Sequence, residues 1–532
     1  MAPKVQPGEL LSFNQSTGKI PATFTSTPPE EIPVILAKAR LAFETWSDLS
    51  QKTRLELFRK AYREFFLARE EIARLISQET GKPLVESYTE IFAVLDCFKY
   101  YLKHIPKFLK DTKLTIANPL LKIRRGFVRY EPLGVVAVIS PWNFPFLLAM
   151  HHIVPALMVG NVVIHKPSEL TSCVGAKIRE VFDRSYLPKG VLEIVTGLAD
   201  VGRALVSAKV DKIYFTGSTE VGRRIHQSAA ENLTPVNMEL GGSDAMVILE
   251  DANLKRAVNA AAWGGFTNAG QACLSVERVY VHESIFDLFL DELIRKARKI
   301  RKRVDLTEGE IAALINDQQL QKISRLVNDA VQKGAVIHLG GKAHRGQGEP
   351  FFEPTILSNV TSAMDIAREE IFGPVIVVTP FITDEEAVFL ANDSDFGLSV
   401  SVWTQNRRRG LKIAQKIQAG AVLINDIFLH IAQSEAPYTG SKNSGIGVSH
   451  GPWGIMELVR PKYINMDRPF VNRLLGKVVR GLVDNDLWWF HYNQNLSRGF
   501  SVLLEFLHER TFWKRMKAVP GLVKLLLRKD YL

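Results

Sequence analysis

MELGGSDAMVILEDANLKRAVNAAAWGGFTNAGQACLS, residues 238–275, is the stretch on which the reading of this chain turns. It opens on an acid, Glu239, followed by Gly241-Gly242, and the apolar run Ala245 to Leu249 predicts a buried strand. Asp251 is placed to cap a helix carrying Leu254, Ala257, Val258 and Ala261 at helical spacing. The helix is expected to run out at Asn268-Ala269-Gly270, with a lone thiol, Cys273, on the loop beyond. Such a unit lets its two ends fold back on one site, where a thiolate attacks a carbonyl carbon and a carboxylate activates water. The plainer readings are a small buried cysteine and a helix-end charge, and local pattern leaves both open.

Upstream, strand and helix alternate. The apolar runs GVVAVIS (134–140), NVVIHKPS (161–168), VLEIVTG (191–197) and DKIYFTGS (211–218) are separated by helical segments at 146–158, 173–185 and 199–207. Continuous Val/Ile runs imply strands buried on both faces, hence a parallel sheet covered by helices. That is a dinucleotide-binding architecture, with ligand at the carboxyl ends of the strands. FTGSTEVG sets Gly217 and Ser218 after a strand and opens a helix whose free N–H groups and dipole attract a pyrophosphate, while Gly222 admits close packing on the sheet. It is not GxGxxG, and a plain strand–turn–helix is the competing reading. Lys166 and Glu169 end another strand. There Glu169 would accept from a ribose 2′-OH and repel a 2′-phosphate, or belong to a solvated turn. Asn143, in SPWNFP, has an amide suited to an oxyanion beside the Cys273 N–H, or is a turn residue.

Downstream, a second α/β unit is expected over 242–437, with a long helix from Asp317 to Lys333 and a glycine-rich loop, YTGSKNSGIGVSHG, after Pro437. At the amino end, residues 1–30 read as an extended arm, followed by helices around 35–46, 55–66, 70–79 and 86–108. Residues 113–130 read as a hairpin bearing Arg124 and Arg125, suited to a dimer contact or simply to the surface, and Tyr463 to Met466 reads as a last strand.

Composition narrows the classes. The 532 residues have room for about three domains, and 46% are hydrophobic. No membrane-spanning run is expected, and the start, MAPKVQPGELLSF, lacks the pattern of a secretory signal. Cys97, Cys173 and Cys273 form no CxxC pair, which argues against disulfides and metal and for a reducing, cytoplasmic setting. Of the net charge of +11, +7 falls in residues 468–532, so the main body is not a nucleic-acid binder. In that tail Val471, Leu474, Leu475, Val478, Val479 and Leu482 form one stripe, Trp488, Trp489 and Phe490 follow, and Phe500 to Met516 read as a second helix. A basic, amphipathic tail suits either the cytoplasmic face of a membrane or the surface of a partner subunit.

MELGGSD and NAGQACLS, at their spacing here, resemble the two active-site signatures of the aldehyde dehydrogenase superfamily, and the likeness extends from about residue 30 to 467. The resemblance implies an α/β chain with two Rossmann-like parallel-sheet domains, a small β oligomerisation element and a helical carboxyl-terminal extension. The implied divisions are 1–112 with 132–241 for NAD(P), 242–437 for catalysis, 113–131 with 438–467 for oligomerisation, and 468–532 as the tail. It implies Cys273 as nucleophile, Glu239 as base and Asn143 as oxyanion donor. Trp142, Lys166, Glu169, Gly217, Ser218, Gly222, Leu240, Glu370 and Phe372 match cofactor positions. Phe144, Leu147, Leu148 and Leu274 would line an apolar pocket for a medium- or long-chain aldehyde.

The implied cofactor is NAD, with NADP left open, and the implied assembly is a homodimer or homotetramer. The implied reaction is oxidation to the acid through a Cys273 thioester. Alternatives are acyl transfer to coenzyme A, which Glu239 disfavours, or a non-catalytic membrane-associated role. The family's usual PFGG is Pro437-Tyr438-Thr439-Gly440 here. NDIFLH (425–430) and GIGVSHG (445–451) look most like the fatty-aldehyde branch.

Overall fold

The structure, a computed structural model, describes residues 9–12, 22–118, 122, 124–302, 308–346, 349–467 and 494–527. Contacts divide the chain into two compact units, one running up to Leu109 and from Glu131 to Arg460, the other comprising Lys110–Tyr130 and the chain from Pro461 onward.

The first unit is built on two sheets. One runs Gly445–Ile446, Val236–Glu239, Lys212–Thr216, Val135–Ile139, Val162–Lys166, Leu192–Ile194. Its neighbours are parallel except the short Gly445–Ile446. Val162–Lys166 and Lys212–Thr216 are buried at every position, and their apolar centres, Val162 to Ile164 and Ile213 to Phe215, carry the strand signal. Helices Leu147–Val159, Ser172–Arg184, Ala199–Ser207 and Thr219–Glu231 make the crossovers. From the central Val135–Ile139 the chain first adds strands on one side, then crosses to Lys212–Thr216 on the other. The crevice at that reversal, beyond the carboxyl ends of the two strands, is where such sheets bind ligands. Ser140-Pro141-Trp142 and Gly217-Ser218 stand there.

The second sheet runs Val336–Leu339, Thr355–Ser358, Val375–Phe381, Val276–His282, Asp244–Ile248, Ser399–Trp403, Ala421–Ile424. It is parallel but for its first edge strand. Met246 and Ile248 face a core shared with Ala257, Ala261, Phe289 and Leu326, while Ala245, Val247 and Leu249 face Phe381, Ala387 and Ile413. This is the two-sided alternation of a covered strand.

One expected cap is corrected. Helix Leu254–Phe266 is capped by Asn253, whose side chain accepts from Arg256 N–H. Asn253 directly precedes the first helical residue and reaches the orphan N–H groups, which Asp251 does not. Asp251 instead accepts from the Thr404 hydroxyl and from the N–H groups of Gln405 and Asn406, fixing the chain beyond Ser399–Trp403.

The amino-terminal helices Ile32–Asp48, Gln51–Leu67, Arg69–Thr80 and Leu84–Phe108 also belong to this unit. Phe58, Phe65 and Phe98 pack with Phe182 of the first sheet's layer at ring separations of 4.9 to 6.5 Å.

The second unit has a three-stranded sheet, ordered Val459–Asp467, Arg124–Pro132, Thr112–Lys113. It also has two helices, Gln494–His508 and Phe512–Leu527, with Val502 of one against Gly521 of the other. The single helix expected across Phe500–Met516 is therefore two. The Glu509 carboxylate accepts from Thr511 N–H, and the Thr511 carbonyl receives the N–H groups of Lys514 and Arg515, so a new helix starts there. Phe500, Leu504, Phe512, Trp513 and Met516 are exposed. The expected stripe Val471–Leu482 and Trp488–Phe490 lie outside the described residues. No helix among the described residues is long and apolar enough to cross a membrane.

Candidate active site

The two ends of the 238–275 stretch meet. Glu239 ends its strand, and a Cβ added to Gly242 would lie 2.0 Å from the Cys273 carbonyl oxygen, so only glycine admits this approach. The meeting point opens into a cleft of about 170 Å³ at the crevice of the first sheet. Of the residues expected from sequence, Trp142, Asn143, Leu148, Gly217, Ser218, Leu240, Cys273, Glu370 and Phe372 line it.

Glu239 is buried. One carboxylate oxygen accepts from the Ser449 hydroxyl at 2.6 Å and stands 3.5 Å from His152 Nε2, and the other accepts from the Thr216 hydroxyl at 3.3 Å. Burial alone would raise its pKa, but His152, the Ser449 hydrogen bond and His450 outweigh it and hold the pKa below the usual carboxylate value. The group is a carboxylate at neutral pH, as a base must be.

Cys273 is half-buried, whereas Cys97 and Cys173 are buried. Burial pushes its thiol well above the ordinary range; the Tyr438 hydroxyl opposes that rise, and Asp244, Glu370 and Glu239 add to it. Cys97 is likewise pushed up by burial, to about 12.

Asn143 Nδ2 donates to the Gln271 carbonyl at 3.2 Å, which ties the SPWNFP loop to the loop of the thiol and leaves the second amide hydrogen available. A fully buried ion pair supports that loop. Lys82 Nζ reaches Glu90 at 2.7 Å and the Asn143 carbonyl at 2.6 Å. Glu90 also accepts from the N–H groups of Phe146 and Leu147, at the start of helix Leu147–Val159. Removing the cation strands a buried carboxylate. Lys82→Met is expected to cost about 3–5 kcal/mol of unfolding free energy, read as a lower urea midpoint, with partial recovery in Lys82→Met/Glu90→Gln.

Opposite, Glu370 accepts from Gly242 N–H at 2.9 Å. Glu277, its pKa lifted to about 8 by burial and then by Glu370, accepts from the N–H groups of Ile371 and Phe372. Phe372 is held at φ +53° with its ring edge-on to Trp142 at 5.6 Å.

Other expected residues stand behind or beside the cleft. Lys166 Nζ donates to the Pro167 carbonyl at 3.3 Å and lies 4.0 Å from the Glu169 carboxylate. Gly222 packs so closely on Leu240 that a Cβ would come within 2.6 Å of it. Phe144 lies beneath the Lys82 ammonium at 4.1 Å, Leu147 is buried, and Leu274 is buried in the core of the second sheet. Of the four expected pocket residues, Leu148 alone lines this cleft.

Sequence reasoning missed Lys82, Glu90, Glu277, His152, Ser449 and Thr216 as site residues. Two adjacent histidines in the apolar run LLAMHHIVPALMV were a visible signal for His152, and Tyr438 was visible as a departure from PFGG.

The residues fit a nicotinamide dinucleotide. Ser218 caps helix Thr219–Glu231, whose N-terminus faces the cleft mouth as an anion site. A Cβ on Gly217 would meet the Phe215 ring at 2.6 Å, so the backbone there stays bare for close approach. Lys166 and Glu169 give a cation and an acceptor at the next strand end, and Glu370 and Phe372 line the same cleft as the thiol.

Fold and site together define an α/β chain with a dinucleotide-type sheet whose ligand crevice is lined by a half-buried cysteine. The family model for the aldehyde dehydrogenase family matches residues 4–464, and the chain belongs to that family; it is an NAD(P)-dependent aldehyde-oxidising enzyme. It is 34% identical over 500 residues to 4,4'-diapolycopene aldehyde oxidase of Methylomonas sp, covering 94% of this chain and 91% of the relative. To peroxisomal aminoaldehyde dehydrogenase 1 of Pisum sativum it is 36% identical over 465 residues, 86% and 92% of the two chains. Betaine aldehyde dehydrogenase of Staphylococcus aureus, solved in complex with NAD+, superposes with a TM-score of 0.82 at 34% identity, covering 87% of this chain and 93% of that one.

Proposed function

We propose that the chain converts an apolar, medium- or long-chain aldehyde to its carboxylic acid, with Cys273 as nucleophile, Glu239 as base and Asn143 as oxyanion donor. The observation that carries this reading is the convergence of the Cys273 loop, the Gly241-Gly242 turn after Glu239 and the Asn143 loop on one cleft. The Cys273 thiolate adds to the carbonyl carbon. The developing oxyanion takes hydrogen bonds from the free Asn143 N–H and the Cys273 backbone N–H. The bound dinucleotide supplies the electron sink, accepting hydride from the tetrahedral carbon. Collapse leaves a thioester on Cys273, and the Glu239 carboxylate takes a proton from the water that cleaves it. Trp142, Gly217, Ser218, Gly222, Leu240, Glu370, Phe372, Lys166 and Glu169 hold the dinucleotide; the Glu169 carboxylate favours NAD over NADP.

The apolar preference rests on Leu148, which lines the same cleft as the thiol, and on the exposed apolar residues of the tail helices. The Methylomonas relative, named for an aldehyde of diapolycopene, supports it. NADH formation across a panel of aliphatic, aromatic and charged aldehydes tests it. Preference for charged aldehydes contradicts the apolar reading, and turnover that needs coenzyme A and survives Glu239→Gln supports acyl transfer instead.

The oligomer forms through the three-stranded sheet, whose outer strand Val459–Asp467 is a nine-residue edge. The tail meets an anionic membrane surface. Phe500, Leu504, Phe512, Trp513 and Met516 are exposed beside exposed Arg498, Arg510, Lys514, Arg515 and Lys517, and each cation near such a surface adds about 1 kcal/mol. In sedimentation, the full chain is expected to pellet with phosphatidylserine vesicles at low salt and to be released at high salt. A chain ending at residue 467 should stay in the supernatant while still oxidising a short aldehyde. Equal behaviour of the two assigns the tail to protein packing.

A further inference from the structure

Tyr438 enters none of the steps above, yet its hydroxyl lies 3.8 Å from the Cys273 sulfur. The residue is buried and held from several directions. Its backbone is bridged to Ser449 by N···O contacts of 2.8 and 2.7 Å. The rings of His430 and His450 lie against it at 5.7 and 5.4 Å, within 30° of parallel, and His151 meets His450 edge-on at 4.5 Å. Burial lowers the pKa of His430 to about 4, of His151 to about 3, and of His450 well below its ordinary value. All three are neutral at neutral pH, so none of them offers an imidazolium to the sulfur.

The groups acting on the thiol are then the Tyr438 hydroxyl and the carboxylates of Asp244, Glu370 and Glu239. Burial and the carboxylates oppose the thiolate, and the hydroxyl favours it. Asp244, its own pKa lifted to about 7 by burial, carries only part of its charge near neutrality.

We propose that Tyr438 is a further catalytic residue, whose O–H donates a hydrogen bond to the Cys273 sulfur and stabilises the thiolate that attacks the aldehyde. The contact is a hydrogen bond in which no proton changes owner. Burial, Cys273 and Glu239 hold the phenol pKa well above its ordinary value, so Tyr438 stays protonated and remains a donor across the working range. The phenyl ring of the usual PFGG would supply the shape without the donor. The two stacked imidazoles fix the ring so that the hydroxyl keeps its aim.

The inference rests on Cys273 being the nucleophile, and the test separates the two claims. Aldehyde oxidation by Cys273→Ser decides the first. The second is decided by alkylation of Cys273, which reports thiolate whether or not the enzyme turns over. The full-length protein is treated with iodoacetamide at about pH 8, and the Cys273 peptide is followed by mass spectrometry. Tyr438→Phe keeps the ring and its stacking, and is expected to slow alkylation roughly tenfold, the effect of one pKa unit. 3-Fluorotyrosine incorporated at position 438, nearly the same shape but a stronger donor, is expected to alkylate faster than wild type. The order phenylalanine, wild type, fluorotyrosine supports the proposal, and any other order of the three rates overturns it.

Discussion

Cys273→Ser is expected to lower kcat/KM for aldehyde oxidation by at least about a thousandfold while leaving dinucleotide affinity within about twofold. A serine hydroxyl keeps the size of the side chain but is a far weaker acid than the thiol, and nothing at this site ionises it. The electrostatic surroundings oppose even the thiolate, with Asp244, Glu370 and Glu239 all acting on position 273. A second cysteine cannot take over, because Cys97 is buried with its pKa near 12 and Cys173 is also buried. The proposed dinucleotide site, Gly217, Ser218 and the helix behind them, is untouched by the substitution, so binding is expected to survive. Steady-state NADH production with a fluorescence titration of the dinucleotide checks both halves.

The second large effect falls on product release. Glu239→Gln is nearly isosteric, and its amide oxygen still accepts a hydrogen bond from Ser449 or Thr216. It cannot take a proton from water. Turnover is expected to fall about 10²- to 10⁴-fold, while a first equivalent of NADH per active site still forms as a burst. Wild-type enzyme should approach the same behaviour only in acid. A carboxylate whose pKa is held below 4.5 keeps its base form above that value and loses it as pH falls through the lowered pKa. Rapid-mixing absorbance of wild type and variant reads burst and steady state together. A variant that loses burst and steady state equally places Glu239 in the first chemical half, not the second.

Much of this was legible because the signals are local or periodic. Val162–Lys166 and Lys212–Thr216 read as strands since both their faces are covered and every position is apolar or enclosed. The glycine pair after Glu239 was visible as a feature of the stretch, though not the close approach that Gly242 makes to the Cys273 carbonyl. What escaped reading depends on partners far along the chain. Lys82 and the Asn143 carbonyl are 61 residues apart, and Cys273 and Tyr438 are 165 apart. Glu277 looks like one more strand residue until its carboxylate meets the N–H groups of Ile371 and Phe372. Leu274 looked like a pocket residue from its place beside the thiol, but the loop turns its side chain into the second sheet's core. Asp251 looked like a cap from its type, while Asn253 had the place. In the tail, an apolar stripe carried across Glu509–Thr511 hid the start of a new helix, because periodicity does not register a hydrogen-bonded break.

The central claim is that the Cys273 sulfur carries the acyl group between oxidation and hydrolysis, and that Glu239 ends its stay there. The most direct measurement is peptide mapping of the Glu239→Gln protein, quenched in acid after brief exposure to aldehyde and NAD. The account predicts a mass increase of one acyl group on the peptide holding Cys273, formed only when NAD is present. Stoichiometric NADH with an unmodified Cys273 peptide, or the acyl group on another residue, would contradict it.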